Sequence, residues 1–175
     1  MKDRLVSSLG VFALVLATVM AGTAGMALAQ NSAGIGLSLT QTNILGAFAE
    51  MDVAPGLTIQ GNVGIDRSQG YDIVGFGIKG AYEVLPAISV VGGYAQWRDS
   101  RVALAGLRYT DRIDRISVFG GVNYQYILGS RKGNPGVEAG FKFLLGNRIY
   151  AGVEGGYRLM EDGTPGVSAY VGYVF

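Results

Sequence analysis

The groups in this chain best equipped for chemistry are eight charged residues that share one face of alternating runs. They are Lys79, Arg108, Lys142 and Arg158 against Glu50, Glu83, Glu138 and Glu154. Paired carboxylates such as Glu138 and Glu154 are the equipment of glycoside hydrolysis, where two acids flank the scissile bond. That chemistry needs an open cleft, and here cations are interleaved with the acids. A second motif, Gly75-Phe76-Gly77-Ile78-Lys79-Gly80, matches the G-x-G-x-x-G spacing of a dinucleotide site. The motif works only where a strand gives way to a helix whose N-terminus holds the phosphates, whereas strand alternation runs straight through this one. The chain has no His and no Cys. Imidazole-dependent triads, Cys/His metal sites and disulfide scaffolds are therefore excluded. No catalytic residue, metal site or cofactor is expected, and the chain reads as a non-enzyme.

Lys79 and Glu83, Glu138 and Lys142, and Glu154 and Arg158 are each four residues apart, about 13 Å along an extended strand. They must pair across strands and not along one. Period-2 alternation is the reason they share a face. Val137, Ala139, Phe141, Phe143 and Leu145 alternate with Glu138, Gly140, Lys142 and Leu144, and Ile149 to Leu159 reads the same way. Ten such runs follow one another near 33–41, 44–52, 57–66, 73–84, 87–97, 101–110, 115–127, 136–145, 148–159 and 166–175. Turn signals separate them at Ala54-Pro55-Gly56, Leu85-Pro86, Asp111 to Asp114 and Gly146-Asn147. Ile88-Ser89-Val90-Val91-Gly92-Gly93-Tyr94 is echoed by Ile116-Ser117-Val118-Phe119-Gly120-Gly121-Val122, a repeat of hairpins within one sheet.

The polar face of these runs is unlike a solvated exterior. Alongside its charges it carries Gly34, Gly36, Gly46, Gly64, Gly75, Gly77, Gly93, Gly106, Gly121, Gly140, Gly152, Gly156 and Gly172. Small residues suit a crowded interior, so this face is expected to point inward, its glycines leaving room for water. The balanced charges then form either an ion-pair network that fills the lumen or the polar lining of a narrow channel.

The first segment has an export pattern. Lys2 and Arg4 precede an apolar run from Leu9 to Met20, which closes on Ala27-Leu28-Ala29 before Gln30. Residues 1–29 are expected to be a cleaved signal peptide and 30–175 a single domain. The formal charge of +1 over the full chain comes from Lys2, Asp3 and Arg4, so residues 30–175 are neutral. A neutral chain offers no electrostatic case for nucleic acid.

Aromatics on the apolar face cluster toward strand ends. Tyr82, Tyr109, Phe143, Tyr173 and Phe175 lie near the short turns, and Tyr94, Tyr124, Tyr126 and Tyr157 near the opposite ends. Two girdles around an aliphatic band are what a bilayer asks of a barrel. A strand of about ten residues, tilted by about 45°, covers an apolar band of about 25 Å. Closure then follows, because an open edge in lipid leaves backbone groups unpaired.

The last strand, Val167-Ser168-Ala169-Tyr170-Val171-Gly172-Tyr173-Val174-Phe175, ends on an aromatic with apolar residues at every second position before it. In this the chain resembles the small bacterial outer-membrane β-barrel proteins of the OmpA, OmpX and opacity type. The resemblance implies that Val171, Tyr173 and Phe175 carry the signal read by the barrel-assembly machinery. The expected fold is all-β, a closed antiparallel transmembrane barrel of ten strands, or of eight if residues 31–56 do not form a full hairpin. The expected place is the outer membrane of a Gram-negative-type cell. The expected role is structural or that of a narrow, passive, porin-like channel. The alternative is a barrel that binds lipopolysaccharide or another surface partner through its outer rim, where Arg98, Arg101, Arg131 and Lys132 carry guanidinium and ammonium groups suited to phosphates. Membrane lipids, lipopolysaccharide among them, are the partners this reading expects.

Overall fold

The computed structural model describes residues 32–39, 43–66, 73–97, 100–130, 132–159 and 165–175. The expected leader, residues 1–29, lies outside them, as do Arg98 and Arg131. The described residues form ten strands: β1 (Ser32–Leu39), β2 (Asn43–Ala54), β3 (Leu57–Asp66), β4 (Ile73–Leu85), β5 (Ile88–Trp97), β6 (Ser100–Ile113), β7 (Ile116–Ile127), β8 (Lys132–Leu145), β9 (Ile149–Arg158) and β10 (Pro165–Val174). Each pairs antiparallel with the next, and β10 returns to β1 to close the barrel. The eight-strand alternative falls, because β1 pairs along its whole length with both β2 and β10.

Four tight turns gather at one end, and their backbone explains their residues. Gly56 (φ 74°) and Gly146 (φ 84°) occupy left-handed positions where a Cβ is unfavourable. Asp114 (φ 53°) and Ala87 (φ 67°) take the same conformation with a side chain. Two elements run further than the turn signals suggested. β6 and β7 continue to a pairing of Ile113 with Ile116, so the turn narrows to Asp114 and Arg115. β8 starts at Lys132 and passes through Pro135. The proline is tolerated because its carbonyl faces Leu159, just past the end of β9, so no inner rung of the ladder needs its missing N–H.

Alternation sets the two faces. Ile35, Val74, Phe76, Ile78, Leu107, Val122, Phe141 and Val171 all stand exposed on the outer surface, while the buried apolar side chains among the described residues are Ala47, Val91 and Tyr150. An apolar belt of this extent has no place in water. With every strand edge paired, it is the exterior of a transmembrane barrel.

Candidate functional site in the barrel lumen

The inward face collects the charges on strands that are not neighbours. Glu138 on β8 is the hub. Its Oε1 accepts from Arg108 Nε at 2.8 Å and from Nη2 at 2.6 Å, and its Oε2 accepts from Lys79 Nζ at 3.4 Å. Arg108 stands on β6 and Lys79 on β4, so one carboxylate ties three strands together across the interior. A second link joins Lys142 Nζ on β8 to Glu50 Oε1 on β2 at 3.3 Å. On the shorter way round, three strands separate β4 from β8 and three separate β8 from β2. These contacts therefore cross the lumen. Glu154, on β9, lies within electrostatic reach of Lys79, Arg108 and Lys142. The ion-paired side chains keep between a fifth and a third of their exposure (20% for Arg108 and Glu138, 33% for Lys142). They are partly exposed pairs and not a sealed core.

The remaining two members of the expected network stand apart from this centre. Glu83 lines the lumen beside the short turns, its backbone N–H held by the Gly56 carbonyl at 2.7 Å. Arg158 is exposed at the opposite mouth, paired in register with Gly136. A polar contact absent from the expected set, Thr58 Oγ1 to Asp52 Oδ1 at 2.7 Å, adds an acid to the inward face.

Aromatic side chains also point inward, which the charge pattern did not disclose. Phe48, Tyr150 and Tyr170 form one cluster, with centroids 5.5 Å apart for Phe48 and Tyr170 and 6.1 Å for Tyr150 and Tyr170. Lys142 Nζ sits 4.6 Å over the Tyr150 ring, and the Arg108 guanidinium 4.6 Å over the Phe119 ring. The Tyr150 hydroxyl and Ser32 Oγ are 3.2 Å apart.

The inward glycines correct an expectation. Their missing side chains do not simply leave room for water, because rings occupy much of the space. A Cβ at Gly152 would overlap the Tyr170 ring, at Gly172 the Tyr150 ring, at Gly75 the Trp97 ring and at Gly140 the Phe119 ring. The signal was present in the sequence. Tyr150 shares the parity of Glu154 and Arg158 on its own strand, whereas Trp97, Phe119 and Tyr170 lie on strands without charges and are marked by the glycines opposite them, Gly75, Gly140 and Gly152.

What remains open is a cavity of about 680 Å³ inside the barrel. Its lining runs from Ser38, Ile44 and Trp97, beside the longer connections, past Glu50, Lys79, Arg108 and Lys142 to Glu83, Ser89 and Ser117, beside the short turns. The space is thus continuous along most of the barrel, with the charged belt at its waist.

The other expected sites lie outside the lumen or at its mouth. Tyr82, Tyr109, Phe143, Tyr173 and Phe175 are exposed toward the short-turn end. Tyr124 and Tyr157 are exposed toward the other, with Tyr94 and Tyr126 half-buried there. Val171 and Tyr173 are exposed on the outer face of β10. At the rim, Arg101 is paired with Gln96 on the outward side, whereas Lys132 shares the inward parity at the mouth.

No family model and no curated protein matches the chain. Among solved structures it is similar to the KdgM porin, with a TM-score of 0.53 and 11% identity over 82% of this chain and 99% of that one. It is likewise similar to the KdgM porin in complex with disordered oligogalacturonate, with a TM-score of 0.52, 12% identity and the same coverage. At such identities the likeness is one of fold, a closed transmembrane barrel.

Proposed function

We propose that this protein is a non-enzymatic outer-membrane barrel that forms a narrow, passive, porin-like passage for small polar solutes. The observation that carries the reading is the 680 Å³ lumen, which runs along most of the barrel and presents hydroxyls, amides and charges of both signs among its apolar side chains. A network that sealed the lumen would leave its ion pairs without accessible surface, whereas those of the belt keep between a fifth and a third of theirs. The fold shared with a porin supports the same reading. Three acids (Glu50, Glu138, Glu154) balance three bases (Lys79, Arg108, Lys142) at the waist, so the passage is expected to favour neither anions nor cations strongly. In biogenesis, Val171, Tyr173 and Phe175 serve as the assembly signal, and Phe175→Ala is expected to lower the inserted fraction in cells.

The test is single-channel recording of the refolded protein in planar bilayers, after a heat-modifiable gel shift has shown a closed barrel. Discrete steps that change size in Lys142→Gln or Glu138→Gln support the passage. Silence from a verified barrel overturns it.

A further inference from the structure

We infer that the waist of the lumen binds a small zwitterion, its ammonium end on Glu154 and its carboxylate end on Lys79, an inference that deepens and rests on the reading of the lumen as an open passage.

Glu154 is the acid of the waist that its neighbours leave free. Glu138 is held by Arg108 and Lys79, and Glu50 by Lys142, whereas Glu154 makes no hydrogen bond or ion pair among the described residues. The register shows why. On the β8 side it pairs with Gly140, which has no side chain to offer, and the Phe119 ring fills the place over that glycine. On the β10 side it pairs with Ser168, whose hydroxyl donates to Ser38 Oγ at 3.0 Å. The carboxylate is left exposed to the cavity that it lines.

The compensating charge comes from the opposite wall. Lys79 and Arg108 share one acid, Glu138, so that group keeps a positive charge over. Lys79 Nζ makes one contact, at 3.4 Å, although an ammonium carries three donors. The strands that bear Lys79 and Glu154, β4 and β9, are separated by four strands either way round the ring. The two residues therefore rise from opposite walls of the lumen, within electrostatic reach but without contact, and both line the same cavity. The waist is neutral as a whole and polarised across its width. A lone cation drawn to Glu154 meets the surplus of the far wall, and a lone anion drawn to Lys79 meets Glu154. A molecule with an ammonium at one end and a carboxylate at the other satisfies both walls with charge-assisted hydrogen bonds.

Saturation-transfer NMR of the folded barrel in micelles tests this with three probes, 4-aminobutanoate, butylammonium and butanoate. The zwitterion is expected to bind about tenfold more tightly than either single-ended probe. Glu154→Gln, which keeps the shape of the side chain, is expected to lower its affinity about tenfold, and Lys79→Gln to do the same while raising that of butylammonium. Wild-type affinity for the zwitterion in folded Glu154→Gln overturns the site. A single-ended probe that binds as tightly as the zwitterion overturns the pairing of the two walls, and that comparison is made on the wild-type barrel, so it stands whether or not a variant folds. Planar-bilayer recording separates the two readings. Conductance steps without selective binding overturn the zwitterion site and leave the passage, whereas selective binding to a silent barrel supports the site and overturns the passage.

Discussion

Glu138 and Arg108 share a two-point contact in the lumen, at 2.8 and 2.6 Å, with one strand between those that carry them. The same carboxylate also meets Lys79. Removing it takes the hydrogen-bonded acid from between two cations and leaves only Glu154 within electrostatic reach of them. A dry pair broken in this way loses about 3–5 kcal/mol. Glu138 retains a fifth of its exposure, so Glu138→Ala is expected to destabilise the barrel by less, about 1.5–3 kcal/mol. Urea unfolding in detergent micelles measures it. An unchanged midpoint would show that the belt contributes nothing to stability.

Glycines on the two faces should answer differently to the same substitution. At Gly152 a Cβ meets the Tyr170 ring, and at Gly140 it meets Phe119 and the Val153 carbonyl, whereas at the outward Gly80 the nearest atom is 4.0 Å away and at Gly61 none lies within 4 Å. Gly152→Ala is expected to cost about 1–3 kcal/mol through overpacking. Gly80→Ala and Gly61→Ala are expected to stabilise by about 0.4–1 kcal/mol by restricting the unfolded chain. The unfolding midpoints of the three variants decide it. A loss at Gly61 as large as at Gly152 would mean that ring packing is not what makes the inward glycines necessary.

The same contrast shows how far the sequence could be read. Parity alone placed Glu138, Lys142 and Glu50 on the inward face, because a strand's side chains can point only two ways. It could not pair Lys142 with Glu50, which stand 92 residues apart. That choice depends on how far the strands are staggered around the barrel, and stagger leaves no mark in a period of two. Tyr170 was hidden for another reason, since β10 carries no charge to mark its inward face. An aromatic reads as membrane-facing by type, and only its position opposite a glycine on the next strand marks it as inward. Pro135 concealed the first turn of β8 in the same way, since a proline reads as a boundary unless its missing N–H falls beyond a partner's end.

Ala87 is the strained point of the short-turn end. It holds φ at 67° with a Cβ present, a conformation that is unfavourable by about 1–2 kcal/mol for an L-residue. Thr110 N–H donates to its carbonyl at 2.8 Å, so the turn is held by a bond that does not depend on the side chain. Ala87→Gly relieves the strain but loosens the unfolded chain. The expected net gain is under about 1 kcal/mol, read as a higher unfolding midpoint. A lower midpoint would mean that the Ala87 methyl contributes packing worth more than the strain.

Lys142 and Glu50 offer a test of the belt that keeps composition fixed. Glu50→Lys alone brings two ammonium groups together in place of a pair 3.3 Å apart, and Lys142→Glu alone does the same with carboxylates. Each single variant is expected to lose stability, and the double exchange to recover much of it, with a coupling of about 0.5–3 kcal/mol. Recovery should be incomplete, because Lys142 also covers the Tyr150 ring at 4.6 Å and a carboxylate over that ring face is unfavourable. In planar bilayers the single variants are expected to change the conductance step, because repulsion drives the two side chains apart across the lumen, and the double exchange should restore it. Additive effects in both measurements would mean that the two residues do not act as a pair, and the link between β8 and β2 would then play no part in setting the width of the passage.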